Sequence, residues 1–445
     1  MTIHPFLAHP QQRRPLLMLL VALMILIGAI LFRLNRSTLE KVTQVPAMAA
    51  TSVAIAPASL AAVQQYELKL QRNPDDVESY AGLGLSLLQQ VRETGDTTLY
   101  ARAQKALDEA IRRDPKLVDG LIGQGMLAMS LHNFAAGLEW ADKAWTINPY
   151  KAEILGIKVD GLVEQGRYEE AVTTLQQMVD LRPDTGSYSR ISYLRELNGD
   201  VEGSIEAMSM AVKSTPVGTE SWLWSLTHLG HLYFNKGDLT TAEKIYQQVL
   251  QSRGDYTYAL AGIARVQGAK GETEQAIATL KPVAERLPLP EFLTLLGDLY
   301  QVAGDGKAAA QQYDLVNVIQ QLNAGAGMNV DLEMALFNAN HSNDPVATLA
   351  QARSAYKVRP TIYGADALAW ALYKANQLDE ASRYSQEALK LGTQDAMLYF
   401  HAGMIAAAQG DHDLAKNQLQ KALQINPYFS LFDGQVAKQT LETLK

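Results

Sequence analysis

Three short patterns carry residue types that do chemistry, and spacing decides what each can mean. His228 and His231 stand three apart, so on a helix both imidazoles share one face, as paired metal ligands do. No third ligand is evident nearby and the neighbours are apolar, so the pair reads as buried or groove-lining histidines rather than a metal site. Gly123-Gln124-Gly125 followed by Ala128 mimics a dinucleotide fingerprint, but that fingerprint needs a strand before it. Here the glycines fall inside a helical pattern. Gly304-Asp305-Gly306-Lys307 lacks both the earlier Gly and the following Ser or Thr of a phosphate-binding loop. No catalytic, metal or cofactor set emerges, and the chain is expected not to be an enzyme.

The elements that hold these residues recur along the chain. From Asp395 to Pro427 the sequence reads as two short amphipathic helices joined at Gln409-Gly410-Asp411 and closed by Asn426-Pro427. Gly403 and Ala415 are small where two helices must cross, and Leu398, Ile405, Leu414, Leu419 and Leu423 recur at helical spacing between them. Pro427 stops the second helix because it lacks an N–H. Pro115, Pro149 and Pro183 close earlier segments of the same design, 34 residues apart. Gly-containing turns recur mid-unit, as at Gln165-Gly166, Asn198-Gly199-Asp200 and Lys236-Gly237-Asp238. About ten such units fit between Tyr66 and Pro427.

With Gly, two Ala and Pro at these relative places, the pattern resembles the tetratricopeptide repeat family. That resemblance implies an all-α fold, a right-handed α-solenoid in which each unit's first helix lines a concave groove and its second forms the convex outside. The stretch from Asp366 to Ile405 also looks like the ending of repeat proteins common in bacteria. A solenoid grows in one dimension, so 445 residues need not mean several domains.

Composition narrows the partners. Hydrophobic residues make up 47% and the net charge is −8, with no dense Lys/Arg stretch, which argues against nucleic acid. There are no cysteines, which removes disulfides and thiolate metal sites. Residues 1–14 form a short polar N-terminus, and the uncharged run Leu16–Phe32 predicts a transmembrane anchor over 15–33. Arg33 and Arg36 follow where a cleaved signal peptide would carry small residues, so an uncleaved anchor is the expectation. Basic residues flank the run almost evenly, so the orientation stays open, with an extracytoplasmic repeat domain favoured. An Ala/Pro/Ser/Thr-rich spacer covers 34–58, the repeats 59–427, and a capping helix 428–445.

Local expectations follow. Ser59 is placed to cap a first helix, and the extra residues at 91–99 to lengthen an internal turn. The unit with Ser187, Ser189 and Ser192 is expected to pack loosely. The repeat is expected to degenerate around 317–360, where Ala324-Gly325-Ala326-Gly327 interrupts any helix. In the resembling family's geometry, the groove side of the first helices carries Trp224, His231, Phe234, Tyr258, Arg265, Asp298 and Gln301. Such a patch suits an extended peptide, although the aromatics also fit as filling between units. The Lys, Asn and Arg set of the family's carboxylate-clamp form is absent. The leading function is a membrane-anchored scaffold or assembly factor that binds other proteins. The alternative is a self-assembling subunit of a larger membrane complex, and homo-oligomer formation stays open.

Overall fold

Twenty-two α-helices and no strand make up residues 58–342 and 344–444, those that the computed structural model describes. A first helix, α1 (Ala58–Arg72), precedes ten antiparallel pairs. They are α2 (Val77–Thr94) with α3 (Leu99–Arg113), α4 (Val118–Ser130) with α5 (Phe134–Ile147), and α6 (Ala152–Glu164) with α7 (Tyr168–Leu181). Next come α8 (Thr185–Leu197) with α9 (Val201–Lys213), α10 (Glu220–Asn235) with α11 (Leu239–Ser252), and α12 (Thr257–Ala269) with α13 (Thr273–Arg286). The last four are α14 (Pro290–Val302) with α15 (Gly306–Gly325), α16 (Asp331–His341) with α17 (Pro345–Val358), α18 (Ile362–Lys374) with α19 (Leu378–Ala388), and α20 (Ala396–Gln409) with α21 (His412–Ile425). A final helix, α22 (Asp433–Thr443), ends the stack.

The Gly-Asp dipeptides explain where second helices start. Gly199, Gly237, Gly304 and Gly410 adopt φ between 76° and 84°, a left-handed turn that suits a residue without Cβ. The aspartate that follows each one accepts the backbone N–H three residues on, at 2.9 to 3.1 Å, satisfying a helix N-terminus. Glycines inside first helices do a second job, because they let side chains of neighbouring helices lie flat against the backbone. A Cβ at Gly403 would stand 2.6 Å from Leu419, so α20 and α21 can pack this closely only with glycine there.

The chain also meets itself one superhelical turn later. Tyr168 accepts the Ile362 N–H at 2.9 Å, and Asn426 donates to the Phe234 carbonyl at 3.0 Å. Arg359 reaches Glu164 at 2.8 Å and Glu333 at 2.6 Å, and the Thr393 hydroxyl donates to the Leu197 carbonyl. His132 donates through Nδ1 to the Asn329 carbonyl at 2.8 Å. Apart from Arg359 to Glu333, these contacts join residues 192 to 197 apart in sequence. Gly166 and Gly199 sit in this seam, where a Cβ would come within 2.4 Å of the carbonyl oxygens of Pro360 and Gly392. The superhelix therefore winds until its later units rest on its earlier ones.

Several local expectations are corrected. Ser59 lies within the first turn of α1 and donates to Glu93 on α2 rather than capping its own helix. The extra residues at 91–99 lengthen α2 itself to 18 residues, leaving a short turn at Gly95. The serine-rich unit is tight: Ser187 and Ser192 are fully buried, and the Ser192 and Ser204 hydroxyls meet at 3.0 Å between α8 and α9. Small hydroxyls that satisfy one another allow close helix approach where large apolar residues would hold the helices apart. The interruption expected at Ala324-Gly325-Ala326-Gly327 is present: α15 ends at Gly325 with Ala326 as its cap, and Gly327 follows at φ 88°. Between α15 and α16 the backbones stand apart, but the Tyr313 ring still meets those of Phe337 and His341, centroids 6.1 and 4.4 Å apart, while Asn329 donates to the Leu131 carbonyl at 2.9 Å across the seam.

No helix among the described residues is long and apolar enough to cross a membrane. The anchor expected over 15–33 lies outside the described residues, as do 1–14 and all but the last residue of the spacer over 34–58.

Candidate functional site

First helices α2, α8, α10, α12 and α14 turn their inner faces around a hollow of about 890 Å³. From α10 come Trp224, His228 and His231, from α12 Tyr258 and Arg265, and from α14 Glu291 and Phe292. The lengthened α2 adds Gln89 and Arg92 at the far side. Its end is seated there because Gly95 admits Leu287 within 2.3 Å of where a Cβ would stand. The extra turn of α2 thus closes the hollow.

Two glycines and a tyrosine build the aromatic wall. Tyr246, on α11, is fully buried and lies against α10 and α12. A Cβ at Gly230 or Gly262 would stand 2.5 or 2.6 Å from its ring, so both glycines are needed for the ring to pass. Its hydroxyl then reaches Nδ1 of His231 at 2.7 Å. Trp224 packs on His228, ring centroids 3.9 Å apart, and His228 meets His231 edge-on at 5.4 Å. Burial disfavours the imidazolium at both, pushing His228 down to about 4 and His231 well below its ordinary value. Both are neutral at physiological pH, and their rings act as hydrogen-bonding aromatic surface. Among the described residues no cluster of three or more His, Asp or Glu suits a metal ion.

Three of the four charged groups in the hollow have no ion pair among the described residues. The Arg265 guanidinium lies 4.2 Å over the Phe234 ring, and burial lowers its pKa. Glu291 is open to the hollow yet has protein on most sides, and burial raises its carboxyl above the usual range. Glu220, by contrast, is engaged by Arg253 at 2.9 Å and by the Tyr256 hydroxyl at 3.0 Å.

The structure places four of the seven sequence-derived residues in this lining: Trp224, His231, Tyr258 and Arg265. Phe234 is a correction. Its side chain is 1% exposed, because the last turn of α10 faces the seam, and it serves the site only as the floor under Arg265. Asp298 accepts the Tyr313 hydroxyl at 2.8 Å, with its carboxyl pushed up to about 6 by burial, and it lies outside the hollow's lining. Gln301 is exposed and also outside it. Arg92, Glu291 and Phe292 escaped the sequence reading. The extra length at 91–99 is the signal for Arg92. Glu291 and Phe292 needed the wall of the preceding unit, which only the superhelical curvature supplies.

Tetratricopeptide repeat models match residues 233–299 in one form and residues 96–152 and 367–428 in another. The chain carries tetratricopeptide repeats. Protein CTR9 homolog of Arabidopsis thaliana is 21% identical over 241 residues, covering 52% of this chain and 22% of that protein. Superkiller complex protein 3 of Homo sapiens is 24% identical over 392 residues, covering 82% of this chain and 24% of that protein. The chain thus spans less than a quarter of the length of these curated relatives. A crystal structure of a tetratricopeptide repeat protein from Parabacteroides merdae aligns at 20% identity and a TM-score of 0.35, over 58% of this chain and 98% of that one. Tetratricopeptide repeat proteins in general mediate protein–protein interactions and complex assembly, and the fold is typically a non-catalytic scaffold.

Proposed function

We propose that this protein is a membrane-anchored scaffold or assembly factor that holds an extended segment of a partner protein inside its superhelix. The observation that carries this reading is the hollow, an aromatic enclosure on first helices in which Arg92, Arg265 and Glu291 have no ion pair among the described residues. Because later units rest on earlier ones, the hollow suits a single extended strand better than a folded domain, and main-chain amides match its mix of donors and acceptors. The uncharged run Leu16–Phe32 supports the anchor, with the repeats on the extracytoplasmic side. Crosslinking in the native membrane, followed by identification of what copurifies, tests the reading. A specific set of proteins retained by the wild type and lost from Trp224→Ala and Tyr258→Ala supports it; partners that survive both changes contradict it.

A second reading, a self-assembling subunit, is favoured by one feature. Leu315, Val318 and Leu322 are 44%, 48% and 60% exposed along one side of α15, an apolar stripe at helical spacing. Light scattering on the solubilised protein separates the two: a concentration-independent monomer removes the second reading.

A further inference from the structure

Fifteen arginines fall among the described residues, and twelve of them have a carboxylate within 4.0 Å. The exceptions are Arg72, Arg92 and Arg265, and the last two line the hollow. A guanidinium keeps its charge at any physiological pH, and taking it out of bulk water without a counter-ion is unfavourable. Arg265 is half-buried with the Phe234 ring beneath it, and the Glu291 and Asp395 carboxylates act on it only from beyond ion-pair distance. Arg92 is solvent-exposed and hydrogen-bonds to the neutral amide of Gln89 at 3.1 Å. Neither guanidinium has a direct ion pair. Of the two carboxylates in the same lining, Glu220 is already engaged by Arg253. Glu291 is exposed to the hollow and has no basic group within 4.0 Å among the described residues. Both guanidinium groups of the lining are therefore without an ion pair, and the one engaged carboxylate is held by a base outside the lining.

The chain's own amino-terminal residues carry little negative charge: residues 1–57 hold one acidic side chain, Glu40, against Arg13, Arg14, Arg33, Arg36 and Lys41. A carboxylate that pairs directly with Arg265 would come from another molecule, and the aromatic wall favours one that brings apolar surface as well.

We propose that the hollow binds an extended, acidic and aromatic segment of a partner protein, with its carboxylates on Arg92 and Arg265 and its apolar side chains between Trp224, Tyr258 and Phe292. This rests on the reading of the hollow as a peptide site. A carboxylate on Arg265 forms a charge-assisted hydrogen bond, bidentate where the geometry allows, and the low-dielectric surroundings strengthen it relative to a surface pair.

Selection from a random peptide library against the full-length protein tests it, with Arg265→Glu, Arg265→Gln and Trp224→Ala as variants and thermal melts by circular dichroism as the check on folding. The wild type is expected to enrich peptides with Asp or Glu beside an aromatic residue. A selected peptide should bind Arg265→Gln at least about tenfold more weakly, and Arg265→Glu should enrich basic peptides instead. Should the charge reversal fail to fold, the neutral Gln variant carries the test alone. Neutral or basic peptides enriched by the wild type and lost from Trp224→Ala would overturn the acidic assignment while leaving the hollow as a peptide site. An absence of enriched peptides, or peptides indifferent to both Trp224→Ala and Arg265→Gln, would overturn both.

Discussion

The seam and the hollow are built from the same kinds of residue and treat them in opposite ways. At the seam, Arg359 has two carboxylates, Tyr168 takes a backbone N–H, and Thr393 and Asn426 each donate to a carbonyl one turn away. In the hollow, Arg92, Arg265, Glu291 and His228 face open space, with no ion pair of their own. Folding alone selects for saturated polar groups, since a buried group without a partner is unfavourable. Arg265, half-buried without an ion pair, is therefore free to pair with an arriving group, Arg92 and Glu291 stay open to solvent, and the saturated seam ties the frame together.

The comparison sharpens with variants, and the largest effect should come from the seam. Replacing Arg359 by Met leaves Glu164 and Glu333 facing each other without their common cation. We expect a loss of about 2–4 kcal/mol in denaturant unfolding, with a rise in the radius of gyration by small-angle scattering as the turns separate. A wild-type radius would break the argument that this ion pair holds them.

Gly166 and Gly271 form a matched pair for the next effect. Both have positive φ, 67° and 80°, but a Cβ at Gly166 would meet the Pro360 carbonyl while one at Gly271 would meet nothing within 4 Å. Gly271→Ala should lower stability by about 1 kcal/mol from backbone conformation alone. Gly166→Ala adds a clash with backbone, for about 2–4 kcal/mol in all. Equal melting temperatures for the two would remove the seam from the account.

Glu196 is a smaller and pH-dependent case. It lies at the end of α8 beside the seam, where burial first, and Asp395 second, raise its carboxyl from 4.5 to about 7. Between those values the folded chain holds a proton that the unfolded chain has released, so stability falls as pH rises from about 4.5 to about 7 and stays lower above that. Glu196→Gln should raise the melting temperature at pH 8, by about 1–2 kcal/mol of stability, and change little near pH 4.5. A gain at low pH only would reverse the sign and refute the assignment.

The smallest effect on stability belongs to the hollow. Trp224 is 41% exposed, and Trp224→Ala should move unfolding by less than about 0.5 kcal/mol while abolishing capture of the partner segment. A loss of stability comparable to that of the seam variants would make Trp224 filler between units.

Much of the fold was legible because the repeat writes its own punctuation. Pro149, Gly237-Asp238 and the small residues at Gly403 and Ala415 each act within one unit, so local pattern reaches them. The seam was not legible. Its partners lie 192 to 197 residues apart, and only the summed rotation of several units brings Thr393 over Leu197. The same limit shaped the site. Trp224, Tyr258 and Arg265 follow from which helix lines the inside, whereas Phe234, one turn further along α10, is carried out of the hollow and into the seam. Arg92 enters because extra residues became helix where a longer turn was expected, a choice that Leu287 settles by packing against Gly95.

The superhelix closes on itself around a hollow in which Arg92 and Arg265 have no ion pair among the described residues. Because the sequence contains no cysteine, two can be introduced without background, at Gln165 and Val358, which the structure joins at 3.2 Å between the Gln165 amide and the Val358 carbonyl. Pulsed dipolar spectroscopy on spin labels at these positions measures the closure directly. A closed superhelix should give one short, narrow distance distribution in the intact protein, broadened and lengthened by Arg359→Met. A long, broad distribution in the otherwise unaltered chain would mean an open solenoid with no seam.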